Sequence, residues 1–169
     1  HYYTQGEDLG ISLIKGKVVF GSGNSGPTLT GPFAADGRWH HVAATWQGST
    51  GAMQLYLDGN LVSSSAGSTA ARTFYYFYLG MDGDYDYYQG QLDEVRMWST
   101  VRTQEEIRTY MRRALPADSP GLFAYYQFNE PTGEISEENR MGNPHLNDSS
   151  PNHHRFTYWS AARSQAVQE

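Results

Sequence analysis

Apolar and polar positions alternate along most of this chain in short stretches, each closed by a turn signal. Ile11–Ile14 and Val18–Phe20 flank Lys15-Gly16-Lys17 and predict a hairpin. Over Trp39–Trp46, residues His40, Val42, Ala44 and Trp46 fall on one side. Met53, Leu55 and Leu57 share a face ahead of Asp58-Gly59-Asn60, a strong turn, and Leu61-Val62-Ser63 returns from it. Thr73–Leu79 sets Phe74, Tyr76 and Tyr78 against Tyr75 and Phe77, and Gln89–Trp98 and Leu122–Phe128 read as further strands. One stretch breaks the period of two. Thr103 stands three residues before Glu106, the capping-box spacing, with Ile107, Tyr110 and Met111 behind it at helical intervals, so Thr103–Arg113 is predicted helical. The pattern predicts an all-β, two-sheet antiparallel sandwich with one short helix after the strand that carries Asp-Glu-Val-Arg-Met-Trp.

After Asn129 the character changes. Pro131–Arg155 is polar and broken by Asn143-Pro144 and Ser150-Pro151, which reads as a long surface loop. Phe156, Tyr158 and Trp159 are placed to dock back, and Ala161–Glu169 reads as a linker or frayed end. The expected organisation is a sandwich over residues 1–133 and a polar C-terminal loop and tail over 134–169, partly docked on it. A chain that starts at His1, within strand-like sequence, reads as a piece of a longer protein.

Composition narrows the function classes. With 13 Tyr, 7 Phe, 4 Trp and 18 Gly in 169 residues, strands and tight turns are favoured over helices. The net charge is −6 and the only lysines are Lys15 and Lys17, so no basic stripe is available to neutralise phosphates and nucleic-acid binding is not expected. Cysteine is absent, which excludes disulfides, thiolate catalysis and cysteine-based zinc sites. The run Phe74–Leu79 is far too short to span a bilayer, and no membrane insertion is expected.

Four motifs in order carry a family resemblance: Asp36-Gly37-Arg38-Trp39-His40-His41-Val42-Ala43, Leu55-Tyr56-Leu57-Asp58-Gly59, Leu92-Asp93-Glu94-Val95-Arg96-Met97-Trp98, and Leu122–Glu130. Their succession resembles laminin-G-like domains of the concanavalin-A-like jelly-roll superfamily, which are related to pentraxins. The resemblance spans roughly Leu9 to Gly133 and implies a jelly roll. The strands with which such domains usually open are not apparent, so the resemblance implies that another segment or chain supplies them, that the sandwich is trimmed, or that the N-terminal portion lies upstream of His1; a jelly roll without them would expose a strand edge or part of its core.

Asp82, Asp84 and Asp86 alternate as ligand-rich loops do, and calcium takes about six to eight oxygens from such loops. The spacing is not that of an EF-hand, because Tyr87 stands where the sharp turn needs glycine. The resemblance implies another route: pentraxin calcium ligands follow a Leu-Gly, here Leu79-Gly80, and a second set lies early in the domain, where Glu7 and Asp8 fall. A solvated acidic turn explains the same residues. Tyr85, Tyr87 and Tyr88 crowd this stretch, with Tyr2 and Tyr3 near the start of the chain. Tyrosine faces stack on sugar C–H surfaces and their hydroxyls bond sugar hydroxyls, although packing on the sandwich would use the same rings.

Asp93 and Glu94 suggest a glycosidase pair, but neighbours on a strand point to opposite faces, so an ion pair of Glu94 with Arg96 is expected instead. Laminarinase-type hydrolases of this superfamily carry Glu-x-Asp-x-(x)-Glu on one strand, a form missing from this chain. His40-His41 reads as framework, and His145, His153 and His154 as residues of a surface loop. The sequence reading is a non-catalytic, extracellular or cell-surface recognition module for carbohydrate or a protein partner, calcium-assisted, inside a larger protein. Its alternatives are an assembly domain completed by foreign strands and, behind that, a glycan-active enzyme.

Overall fold

The computed structural model describes residues 9–21, 26–70, 79–80, 88–129, 145–146, 149–150, 152 and 156–157. Among them the chain is all-β and antiparallel, a jelly-roll sandwich fold with one short helix after the Val95–Trp98 strand. It forms two compact units, residues 1–75 with 101–113 and residues 76–100 with 114–169. The boundary expected at residues 133 and 134 lies outside the described residues.

The first unit holds two three-stranded sheets, β1(Gly10–Ile14)-β2(Lys17–Gly21)-β3(Thr28–Phe33) and β4(Val42–Gln47)-β5(Ala52–Leu57)-β6(Asn60–Ala66). Both tight hairpins turn on the dipeptides the sequence marked. Lys15 and Gly16 adopt φ of 50° and 76°, and Asp58 and Gly59 adopt 50° and 74°. Successive positive φ values match the twist of the flanking strands, and glycine meets them without steric cost. Alternation then builds the core. Val18, Phe20 and Leu29 from the first sheet meet Met53, Leu55 and Leu57 from the second, with Val42, Ala44 and Trp46 packed beside them. Strand β4 starts at Val42 rather than Trp39, and Trp39 is exposed.

Helix α1 (Gln104–Tyr110) is shorter than the predicted Thr103–Arg113. Thr103 caps it, and the capping box is formed on both sides, Glu106 N to Thr103 Oγ1 at 3.2 Å and Thr103 N to Glu106 Oε2 at 2.8 Å. Gln104 Nε2 and Arg108 Nε donate to the Gly59 carbonyl at 3.0 and 2.9 Å, and Arg108 Nη2 donates to Asn60 Oδ1 at 2.8 Å.

The second unit centres on β7 (Val95–Trp98) paired with β8 (Leu122–Tyr126). Strand β7 is only the last part of the predicted Gln89–Trp98, because Glu94 turns to φ 52°. Ala124 and Tyr126 form one buried cluster with Leu79, Val95, Met97 and Phe128; Leu115, Leu122 and Tyr125 form another with Trp98. The polar tail is not wholly loop: β9 (His145–Leu146) pairs with β10 (Phe156–Thr157). Ser149 N donates to Tyr125 O at 2.8 Å, and fully buried Ser150 donates from Oγ to Phe123 O at 3.0 Å.

Candidate functional site

Of the residues the sequence singled out for binding, Tyr88 alone is among the described ones; Glu7, Asp8, Asp82, Asp84, Tyr85, Asp86 and Tyr87 lie outside them. What is described is the frame around the acidic, tyrosine-rich stretch. The Tyr88 amide donates to the Gly80 carbonyl at 2.8 Å, so the residues on either side of 81–87 are tied together. Leu79, just before, packs on the cluster of Val95, Met97, Ala124 and Tyr126. The half-buried Tyr88 ring folds over Gly90. Among the described residues no group of three or more His, Cys, Asp or Glu side chains is placed to hold a metal.

The Asp93–Glu94 pair is separated by its own geometry. Asp93 Oδ1 accepts the Glu94 amide at 2.9 Å. Although Asp93 is largely exposed, desolvation of its carboxyl, opposed by that amide bond and aided by the Glu94 charge, holds its pKa above the usual carboxylate range. Glu94 points elsewhere. Its Oε2 pairs with Arg96 Nη2 and accepts the Tyr125 hydroxyl. The Tyr125 oxygen in turn accepts Leu115 N at 3.3 Å, and the Arg96 guanidinium stands 5.0 Å from the Tyr125 ring centre. The expected Glu94–Arg96 pair is thus formed, and it is joined by the Tyr125 hydroxyl. Tyr125, fully buried at its centre, was read in the sequence only as part of a strand motif.

A second polar cluster lies in the first unit. His40 Nδ1 is 2.8 Å from Asp58 Oδ2, and His40 Nε2 is 3.1 Å from Asp36 Oδ1. The other Asp58 oxygen accepts the His41 amide at 2.9 Å. Hydrogen bonds to Asp58 and then Asp36 outweigh burial and raise the His40 pKa. Burial works to raise Asp58, but its bonds from His40 and the His41 amide outweigh it and hold it low; the Arg38 amide, then His40, lowers Asp36. A protonated imidazole donating to two carboxylates is the arrangement these shifts favour. Sequence spacing placed His40 and Asp58 in adjacent motifs, but their contact depends on the β4–β5 register.

Antiparallel strands, two short type I′ hairpins and a capped helix after β7 define a jelly-roll domain. Residues 4–108, more than half the chain, match the family described as the concanavalin A-like lectin/glucanases superfamily, laminin G type, and the chain belongs to that family. It is 31% identical over 94 residues to C-reactive protein 1.1 of Limulus polyphemus, covering 48% of this chain and 39% of that protein. It is 26% identical over 89 residues to the sushi, von Willebrand factor type A, EGF and pentraxin domain-containing protein 1 of Rattus norvegicus, covering 46% of this chain and 2% of that one. In fold it is similar to a Bacteroides ovatus protein provisionally described as carbohydrate binding, with a TM-score of 0.67 and 22% identity, over 91% of this chain and 45% of that one. The chain spans less than half the length of each of these relatives.

Proposed function

We propose that this chain is a non-catalytic recognition module that binds carbohydrate outside the cell, with calcium assisting, as one part of a larger secreted or surface protein. The observation that carries the reading is the bracket formed by Tyr88 N and Gly80 O, with Leu79 anchored beside it. It gives a fixed base to a stretch whose sequence supplies three carboxylates and two tyrosines, Asp82, Asp84, Tyr85, Asp86 and Tyr87. Carboxylates suit a calcium ion, tyrosine rings suit sugar faces, and a stretch with tied ends loses less entropy on binding. Glu7 and Asp8 complete the proposed metal set. The family's lectin members and the carbohydrate-binding description of the B. ovatus protein support the ligand class. The fate of Glu94, held by Arg96 and Tyr125, supports a non-catalytic role. Glycan-array binding tests the proposal: signals should disappear in Tyr85→Ala/Tyr87→Ala, and an array silent for the parent chain in calcium would overturn it.

A second reading, an assembly domain whose sheet is completed by another strand, is favoured by β1. All five of its residues are exposed, Ile11, Leu13 and Ile14 among them.

A further inference from the structure

We propose that β1 is a self-docking edge: two copies of this chain pair their β1 strands antiparallel about a twofold axis at Ser12, joining their β1-β2-β3 sheets into one. The proposal rests on the assembly reading of β1 and is independent of glycan binding.

Among the described residues β1 is bonded on one side only, to β2. In a hairpin with a two-residue turn, the pair flanking the turn exchanges both backbone hydrogen bonds, and every second pair repeats this. Here those pairs are Ile14–Lys17, Ser12–Val19 and Gly10–Gly21. The N–H and C=O groups of Ile11 and Leu13 therefore point to the open side. Their side chains share a face with their partners Phe20 and Val18, which are buried at 5% and 2% exposure. Ile11 and Leu13 themselves are 51% and 40% exposed. The core stripe thus runs out to the edge and stops there uncovered. The strand carries none of the usual edge protections: no proline, no bulge and no charge within Gly10–Ile14.

Its sequence is complementary to itself. With Ser12 facing Ser12 of the second copy, each Ile11 stands opposite a Leu13, and the outward groups of these residues exchange about four hydrogen bonds. The four apolar side chains make one strip that continues the Val18–Phe20 face of both sheets. Geometry selects the direction: a twofold axis normal to the sheet makes the two β1 strands antiparallel and keeps the Val18–Phe20 faces of both copies on one side. Lys15, in the β1–β2 turn, is the described charge next to this strand.

The test uses the full chain. Ser12 of each copy would lie about 4.5 Å apart at Cα, within disulfide range, and the chain has no cysteine of its own. Ser12→Cys is expected to form a disulfide-linked dimer under mild oxidation, whereas Ser64→Cys on exposed β6 is not. Sedimentation over a dilution series should show a reversible dimer, weakened about tenfold or more by Ile11→Lys/Leu13→Lys. That variant changes exposed side chains only and should keep the parent circular dichroism spectrum. Amide exchange at Ile11 and Leu13 separates the remaining outcomes. Slow exchange only where the dimer forms supports the proposal. Slow exchange in a strictly monomeric protein means another segment fills the edge, which overturns the dimer and leaves the assembly reading. Fast exchange with no cross-link overturns both.

Discussion

His40 lies between two carboxylates, with Nδ1 2.8 Å from Asp58 Oδ2, and this contact joins the segment leading into β4 to the turn that closes β5 and β6. The raised His40 pKa gives stabilisation that is fully present below about pH 6.5 and is lost as pH rises through the folded-state value. The lowered Asp58 and Asp36 values give stabilisation present above about pH 3.9 and lost as pH falls through them. Stability against urea should therefore peak between about pH 4 and 6.5 for this cluster. In His40→Ala the decline toward alkaline pH should flatten. An unchanged alkaline limb in that variant would remove the cluster from the pH dependence. With the aspartate side chains 38% and 39% exposed, solvent screens the pair and the effect is small.

Gly59→Ala should destabilise the first unit by about 1–3 kcal/mol in urea unfolding. Residue 59 holds φ of 74°, and a Cβ there would stand 2.7 Å from Arg108 Cγ and 3.2 Å from Met111 Sδ. The Arg108 side chain must move to make room, which puts its hydrogen bonds to the Gly59 carbonyl and Asn60 at risk. Equal stability of the variant would show that α1 docks loosely.

In the second unit, Tyr125→Phe keeps the ring under the Arg96 guanidinium but removes the hydroxyl that serves Glu94 and the Leu115 amide. Leaving those groups short of a partner should cost about 1–3 kcal/mol, read as a lower urea midpoint with unchanged m-value. A neutral outcome would mean that water replaces the hydroxyl.

Thr103→Ala removes the acceptor for the Glu106 amide at the start of α1. A loss of about 0.5–2 kcal/mol is expected, and Thr103→Ser should recover most of it. Failure of serine to rescue would point to the methyl group rather than the cap.

Calcium should raise the melting temperature of the parent chain, chelator should reverse the rise, and Asp82→Ala/Asp84→Ala should abolish it. A parent chain whose melting ignores both calcium and chelator would sink the metal part of the proposed function.

Local chemistry was readable where one or two residues decide the outcome. Lys15-Gly16 and Asp58-Gly59 announce hairpins because glycine tolerates positive φ, and Thr103 with Glu106 announces a helix start because each satisfies the other's backbone amide. Strand β3 escaped the pattern. It carries Pro32, which cannot donate to a ladder, and that residue falls in the irregular register between Lys17↔Phe33 and Val19↔Thr30. Two-residue strands such as His145–Leu146 are too short to show any period. For the candidate site, type and spacing suggested Asp82, Asp84 and Asp86 and the Glu94–Arg96 pair, but the third member of that pair's network is Tyr125, 31 residues further on. Such contacts are set by strand register, and local sequence does not encode them.

The bond from Arg108 to the Gly59 carbonyl joins positions 49 residues apart. The first unit is therefore interrupted in the chain, and its last piece is synthesised only after residues 76–100 have been made. A nascent chain stalled at Thr100 would already carry both of that unit's sheets but leave the β5–β6 turn facing water. Expression boundaries meant to preserve this unit belong beyond Arg113, and a cut placed just after β7 would sever it while leaving its six described strands in place.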